Sequence, residues 1–171
     1  EILSGIIRAD CFTGNKKRDS HTDADDWHFV IRDGGKMKIV IATIKSWNIQ
    51  NGENLKREYK DRHEIKIITE REKLNLEILD FFKPDFVFFP HWSYRIPESI
   101  YGKYTCIVFH MTDLPFGRGG SPLQNLIVRG INETKISAIQ VQREMDAGPV
   151  YMKEKLSLEG NAGEIFRRAS N

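Results

Sequence analysis

Four short apolar runs separated by segments of helical composition constrain the fold of this chain most strongly. The runs are MKIVIAT from Met37, EIKIIT from Glu64, FVFF from Phe86 and TCIVFH from Thr105. Short continuous runs rich in β-branched or aromatic residues are typical of strands that are buried on both faces. Helical patterns lie between them at residues 51–60 and 74–82, and Pro84 ends the second. Strands that alternate with helices of about ten residues predict an α/β fold with a mostly parallel sheet and helices on both faces.

The second half of the chain continues with a third helix, two further strands and a closing helix. Ser121 is predicted to cap the third helix, Pro122 to occupy its first position and Gly130 to end it. KISAIQV and VYMKEKL are predicted strands joined through REMDAGP. Asn161 and Glu164 have the spacing of a capping box at the start of the closing helix.

The length of 171 residues suits one globular domain. We expect residues 37–171 to form this domain and residues 1–36 to be an N-terminal extension. The chain stops within the predicted closing helix, and EILSGIIRAD at its start would continue the same amphipathic pattern. We therefore expect the domain to be truncated or rearranged at its C-terminal end, with residues 1–9 docked beside the last helix.

The composition excludes several classes of function. The 26 Lys and Arg residues nearly balance the 24 Asp and Glu residues and are scattered among them, so bulk nucleic-acid binding is not indicated. No apolar run reaches the roughly 18 residues of a membrane span, and the start lacks the pattern of a signal peptide, which predicts a soluble cytoplasmic protein without a membrane partner. Cys11 and Cys106 lack metal-ligand spacing, so no metal site is predicted.

The stretch FHMTDLPFGRGGSP, residues 109–122, contains polar and flexible residues that contribute little to a core. His110 follows the fourth strand and His91 follows the third, so both are predicted at the carboxyl edge of the sheet, where ligands bind in parallel α/β folds. Either histidine could instead be satisfied by backbone, and Asp146 in MDAGP could be a turn residue. Together, a histidine, a carboxylate and nearby backbone donors suit acyl transfer.

The same stretch resembles the motif of N10-formyltetrahydrofolate-dependent formyltransferases that contains a histidine, LP, an RG turn and a proline at a helix start. REMDAGP resembles the second motif of that family, and the likeness extends over residues 37–171 in the family's order. Within the family, the chain looks most similar to sugar N-formyltransferases. The resemblance implies a Rossmann-like domain, N10-formyltetrahydrofolate as formyl donor, and transfer to a primary amine of a nucleotide-linked amino sugar.

The resemblance also implies the catalytic residues. His110 would stabilise the developing oxyanion or move the proton, and Asp146 would orient the imidazole. The family usually has asparagine two residues before the histidine, and Val108 stands there in this chain. Because valine donates no hydrogen bond, we expect another oxyanion donor, with His91, Thr112 or a backbone N–H as candidates.

Two groups of binding residues follow from the same likeness. The predicted folate-binding residues lie in RIPES and around the aspartate, and they are Arg95, Ile96, Pro97, Met145, Ala147 and Gly148. The predicted substrate or phosphate site precedes a helix, and it comprises Arg118, Gly119, Gly120 and Ser121. The two glycines could instead only relieve a tight turn. Trp92 and Tyr94 could stack on a ligand or belong to the core.

Other functions stay open at this point. Transfer of the formyl group to methionyl-tRNA or to glycinamide ribonucleotide would use the same chemistry. A hydrolase that directs water to the formyl group of the same folate is a further possibility. An inactive homologue that only binds folate or a nucleotide sugar is the alternative from another class. The first strand is not followed by G-x-G-x-x-G, which argues against a dinucleotide-binding module. The sequence leaves a homodimer open.

Overall fold

The computed structural model describes residues 35–170, which form a single α/β sheet domain. The strands are β1 (Lys38–Ala42), β2 (Glu64–Ile68), β3 (Phe86–Phe89), β4 (Thr105–His110), β5 (Glu133–Gln140) and β6 (Val150–Ser157). The helices are α1 (Ser46–Glu58), α2 (Leu76–Phe82), α3 (Glu98–Tyr101), α4 (Pro122–Val128) and α5 (Ala162–Ser170), and a 3₁₀ turn spans Arg71–Lys73.

The six strands form one sheet in the order β2-β1-β3-β4-β5-β6. The pairs β2-β1, β1-β3 and β3-β4 are parallel, whereas β5 joins β4 and β6 in antiparallel fashion. The prediction of a mostly parallel, Rossmann-like sheet is therefore confirmed. The carboxyl end of β3 lies between those of β1 and β4, so the residues that follow these three strands meet at one edge.

A separate hydrophobic cluster covers each face of the sheet, as expected for parallel strands buried on both sides. On one face, Ile39, Phe88 and Ile107 pack against side chains of α1, α4 and α5. On the other face, Val87 and Cys106 pack against α2 and α3. The alternation along β4 places Cys106, Val108 and His110 on the second face.

Local sequence signals predict some helix ends correctly and others wrongly. The capping box is present: the Glu164 N–H donates to Asn161 Oδ1 at 3.1 Å, and the Asn161 N–H donates to Glu164 Oε2 at 2.8 Å. Ser121 precedes α4 but its side chain makes no capping bond, because its backbone is left-handed at φ 54°. Instead, the amide of Asn125 donates to the carbonyl oxygens of Gly120 and Ser121. The first helix begins at Ser46, five residues before the predicted start.

The predicted docking of residues 1–9 beside the last helix lies outside the described residues, and so does Asn171. Within residues 35–170, no helix combines the length and the apolar character needed to cross a membrane.

Candidate active site

A cavity of about 830 Å³ lies where β3 and β4 end, between the loop after β3 and the loop after β5. Pockets of this size accommodate small-molecule ligands, which usually occupy about 300–1,000 Å³. Its wall includes Phe89, Trp92, Ile96, Val108, Ile139 and Val141 as apolar surface, and Lys45, His91, Arg95, His110, Gln142, Arg143, Glu144 and Asp146 as polar groups. The cavity therefore combines an apolar wall with converging polar groups, as ligand sites do.

His110 ends β4 at the cavity wall, with its side chain only 8% exposed. Nε2 lies 2.8 Å from the carbonyl oxygen of Gly117. Because a carbonyl oxygen only accepts, Nε2 carries the proton in this contact. The other ring nitrogen, Nδ1, lies 3.5 Å from Oδ2 of Asp146. The structure thus brings together the two residues whose catalytic roles the sequence predicts.

Asp146 is held in place from a second direction. Its Oδ2 accepts a hydrogen bond of 3.0 Å from the Gly119 N–H, and its side chain is 13% exposed. The turn that precedes α4 and the loop that follows β5 are therefore joined through this carboxylate. A carboxylate that accepts a backbone N–H and faces an imidazole is suited to orienting that imidazole.

Backbone strain is concentrated at this cavity. Four non-glycine residues among residues 35–170 have positive φ, namely Lys83, His91, Ser121 and Asp146, and the last three line the cavity. Left-handed backbone is unfavourable for residues with a Cβ and persists where the surrounding structure enforces it, often at binding and catalytic sites. This distribution is a second observation, separate from the cavity itself, that favours the cavity as the candidate functional site.

The turn behind His110 is anchored to the β5–β6 hairpin. The buried hydroxyl of Ser137 donates to the Thr112 carbonyl at 2.8 Å and accepts from the Leu114 N–H at 3.3 Å. Lys153 on β6 donates to the carboxylate of Asp113 and to the Leu114 carbonyl. Hydrogen bonds from Lys153 and Lys135 hold the pKa of Asp113 below its ordinary value. These contacts position the turn that carries the Gly117 carbonyl.

The two side chains predicted as replacement oxyanion donors have different surroundings. Thr112 is buried, its hydroxyl donates to the Gly117 carbonyl at 3.4 Å, and it does not contribute to the cavity lining. His91 does line the cavity, with ring edges against Trp47 and Phe166. Burial, and secondarily the charge of Lys45, lowers the pKa of His91. Of the two, His91 is the residue placed to meet a ligand.

Val108 presents an apolar side chain to the cavity at the position where the family usually has asparagine. It lies two residues before His110 on the same strand and on the same face of the sheet. The structure therefore leaves this part of the wall without a side-chain donor.

The predicted folate-binding residues are divided between the cavity wall and the layer behind it. Arg95, Ile96 and Met145 line the cavity, whereas Pro97, Ala147 and Gly148 do not. Gly148 packs so closely on the Gln140 carbonyl that a Cβ there would lie 1.8 Å from the oxygen. Gly148 thus shapes the loop that carries Asp146, and the folate-binding role of all six residues stays a prediction.

The predicted substrate or phosphate residues surround the start of α4. Gly119, Gly120 and Ser121 line the cavity, whereas Arg118 is exposed outside the lining. The Gly119 N–H already donates a hydrogen bond to Asp146, so fewer backbone donors remain for a substrate anion than the sequence predicts. Their substrate-binding role also stays a prediction.

Sequence reasoning missed Lys45, Gln142 and Arg143, which also line the cavity. Lys45 follows β1 at the same sheet edge, so the rule that selected the two histidines could have identified it. Gln142 and Arg143 belong to the loop after β5, and no local pattern indicates which of its side chains face inward.

Known proteins with related sequences and folds are formyltransferases or share their fold. No protein-family model matches the chain. A methionyl-tRNA formyltransferase of Wolbachia sp. subsp. Drosophila simulans (strain wRi) is 34% identical over 99 residues, which cover 57% of this chain and 31% of that protein. A solved methionyl-tRNA formyltransferase from Clostridium thermocellum is 54% identical with a TM-score of 0.77, over 78% of this chain and 59% of that chain.

A more distant structure, HypX from Aquifex aeolicus in complex with tetrahydrofolic acid, has a TM-score of 0.60 at 22% identity, over 72% of this chain and 22% of that chain. This likeness concerns the fold. The chain spans about a third of the length of the curated relative and 59% of the length of the Clostridium structure.

Proposed function

We propose that the chain, which is similar to methionyl-tRNA formyltransferases, is a formyltetrahydrofolate-dependent formyltransferase and transfers a formyl group from N10-formyltetrahydrofolate to a primary amine. The observation that carries this proposal is the pairing of His110 with Asp146, 3.5 Å apart, at the wall of a ligand-sized cavity.

In the proposed reaction, the donor supplies a formyl carbon to which an uncharged amine adds. His110 and Asp146 would act on the charge that develops during this addition. The Gly117 carbonyl fixes the ring orientation of His110, and the Gly119 N–H holds the carboxylate against it. Groups held by such secondary contacts meet the transition state without reorganisation, which is the main source of electrostatic catalysis.

The cavity fits a folate in size and in chemistry. Apolar walls suit a flat heteroaromatic ring, and the indole N–H of Trp92 is buried without a hydrogen-bond partner among residues 35–170. An unsatisfied buried donor at a cavity wall is explained when a bound ligand supplies the acceptor. Arg95 and Ile96 would contact the folate on one side, and the loop that carries Met145 would contact it on the other.

For the acceptor, we retain an amino sugar linked to a nucleotide. The cavity has the dimensions of a small-molecule site, and the near balance of 26 basic and 24 acidic residues gives little excess positive charge for tracking a nucleic-acid backbone. The turn at residues 118–121 would receive the anionic part of this acceptor.

Methionyl-tRNA is the second candidate acceptor. It is favoured by the two relatives described as methionyl-tRNA formyltransferases, one of them 54% identical in sequence. The chain spans 31% of one relative and 59% of the other.

The test is an assay with N10-formyltetrahydrofolate and each acceptor in parallel. Tetrahydrofolate release is followed by absorbance and the formylated product by mass spectrometry, with a panel of amino-sugar nucleotides in one arm and methionyl-tRNA in the other. Product in one arm identifies the acceptor class. Folate release without any formylated amine would indicate a hydrolase, and no turnover with either acceptor would contradict the proposal.

The assay is repeated with matched variants. His110→Ala is expected to lower kcat by about 100-fold or more, the cost of losing one transition-state donor. Asp80→Asn is the control, because Asp80 pairs with Lys103 and Tyr104 and none of these three residues lines the cavity.

A further inference from the structure

The arrangement of His110 leaves the proton of the attacking amine without an obvious acceptor. Nε2 of His110 donates to the Gly117 carbonyl, and Nδ1 faces Asp146. Both ring nitrogens thus already have protein partners, although the ring lines the cavity. An amine that has added to a formyl carbon must still lose a proton before the product forms.

A second imidazole lies on the wall of the same cavity. His91 follows β3, and the sheet order places the end of β3 next to the end of β4. Among residues 35–170, no protein group forms a hydrogen bond with the His91 ring, although the ring contributes to the cavity wall. Its nitrogens are therefore available to a ligand, unlike those of His110.

The structure holds this ring in one position. The ring edges contact Trp47 at a centroid distance of 6.4 Å and Phe166 at 5.4 Å. The backbone of His91 is left-handed at φ 51°, a conformation that is uncommon outside glycine and that asparagine, aspartate and histidine adopt more often than other residues. A ring fixed by aromatic packing at a strained backbone position is preorganised, as catalytic side chains are.

We infer that His91 accepts the proton from the attacking amine, an assignment that rests on the proposed function. The bond between the amine nitrogen and the formyl carbon forms, and the bond from that carbon to N10 breaks with its electron pair remaining on N10. The proton that leaves the amine passes to His91 and ends on N10, so His91 returns to its neutral form. Atoms and charge balance without any further reactant.

The surroundings of His91 favour a neutral ring before the amine arrives. The start of α1 brings Lys45 and Trp47, α5 brings Phe166, and the shared cavity carries His110, Asp146, Arg95, Arg143 and Glu144. Burial lowers the pKa of His91 most, and Lys45 lowers it further. A neutral imidazole has the free lone pair that a proton acceptor needs.

Two substitutions separate this role from the alternatives. His91→Asn keeps an N–H donor and is tolerated in left-handed backbone, but an amide is not a base. His91→Phe keeps the ring packing between Trp47 and Phe166 but has no nitrogen. For each variant, kcat is measured together with the affinity for tetrahydrofolate, and the His91 ring is titrated by NMR in the ligand-free wild type.

If His91 is the proton acceptor, both variants lose about 100-fold or more in kcat, the usual contribution of a general base, with unchanged tetrahydrofolate affinity. The NMR titration then gives a His91 midpoint below the ordinary 6.5. Activity retained by His91→Phe would show a packing role, and activity retained only by His91→Asn would show an oxyanion donor. Loss of tetrahydrofolate affinity in both variants would show a binding residue.

Each of these alternative results overturns the assignment of His91 while leaving the proposed function intact. Absence of formyl transfer by the wild type would overturn the proposed function and the assignment together.

Discussion

The backbone N–H of Gly119 donates a hydrogen bond of 3.0 Å to Oδ2 of Asp146, across 27 residues of sequence. This contact connects the two motifs that carry the family likeness, the turn before α4 and the loop after β5. The same carboxylate faces His110. One acidic side chain therefore links the orientation of the imidazole to the conformation of the turn that borders the cavity.

Asp146→Asn is expected to lower kcat by about 100-fold or more, because the amide oxygen keeps the hydrogen bond from Gly119 but the carboxylate charge that faces the His110 imidazole is lost. The measurement is the rate of formyl transfer at saturating donor. The matched control is Asp80→Asn, which changes an exposed ion pair with Lys103 and should leave kcat unchanged. Equal rates for wild type and Asp146→Asn would remove Asp146 from the mechanism.

Gly148→Ala is expected to lower the free energy of unfolding by about 1–3 kcal/mol, the usual range for overpacking. The added Cβ would lie 1.8 Å from the Gln140 carbonyl oxygen, so the loop that carries Asp146 must move. Gly35→Ala is the matched control, since no atom of residues 35–170 lies within 4 Å of a Cβ there. Denaturant unfolding of both variants measures the difference. An unfolding midpoint for Gly148→Ala equal to that of the control would contradict the close packing.

Lys45→Gln is expected to raise the pKa of His91 toward its ordinary 6.5 without reaching it. Lys45 lowers this pKa by charge repulsion, which the substitution removes, whereas the larger effect of burial remains. In an NMR titration the midpoint of His91 should therefore move to higher pH. Lys103→Gln, a charge change just before the amino end of β4 and outside the cavity lining, should not move the midpoint. A shift to lower pH in Lys45→Gln would contradict the sign of the interaction.

Asn161→Ala is expected to destabilise the domain by about 1 kcal/mol, because it removes the cap of α5. Glu164→Ala removes the reciprocal bond to the Asn161 N–H. Because the two side chains act as one capping box, the double variant should cost less than the sum of the single variants. Urea unfolding of the three variants measures the coupling. Strict additivity would mean that the two bonds act independently.

The sequence predicted those parts of the fold that depend on neighbouring residues. The third and fourth strands have the predicted bounds, and the capping box at Asn161 and Glu164 forms as its spacing indicates. The start of α1 was not accessible, because SWNIQ contains weak helix formers that are helical here through packing on the sheet. The prediction that the Ser121 side chain caps α4 is wrong. A serine before a proline does not by itself indicate that its backbone is left-handed, as it is here.

The candidate site was accessible only in part. Placing His91 and His110 at the same edge required only the rule that parallel strands end together. Nothing local distinguishes Thr112, which turns away from the cavity, from His91, which lines it. Gln142 and Arg143 were missed for the same reason, because the direction of a loop side chain depends on the backbone dihedrals of the whole loop.

By itself, the sequence determined the alternation of strands and helices, and with it the sheet and the edge at which polar residues collect, because hydrophobic periodicity acts over neighbouring residues. Only the tertiary structure decided which of those residues face one another. The approach of His110 to Asp146, the use of the Gly119 N–H and the availability of His91 depend on loops far apart in the chain. Such loops are positioned by packing and hydrogen bonds between distant segments, which no short window of sequence contains.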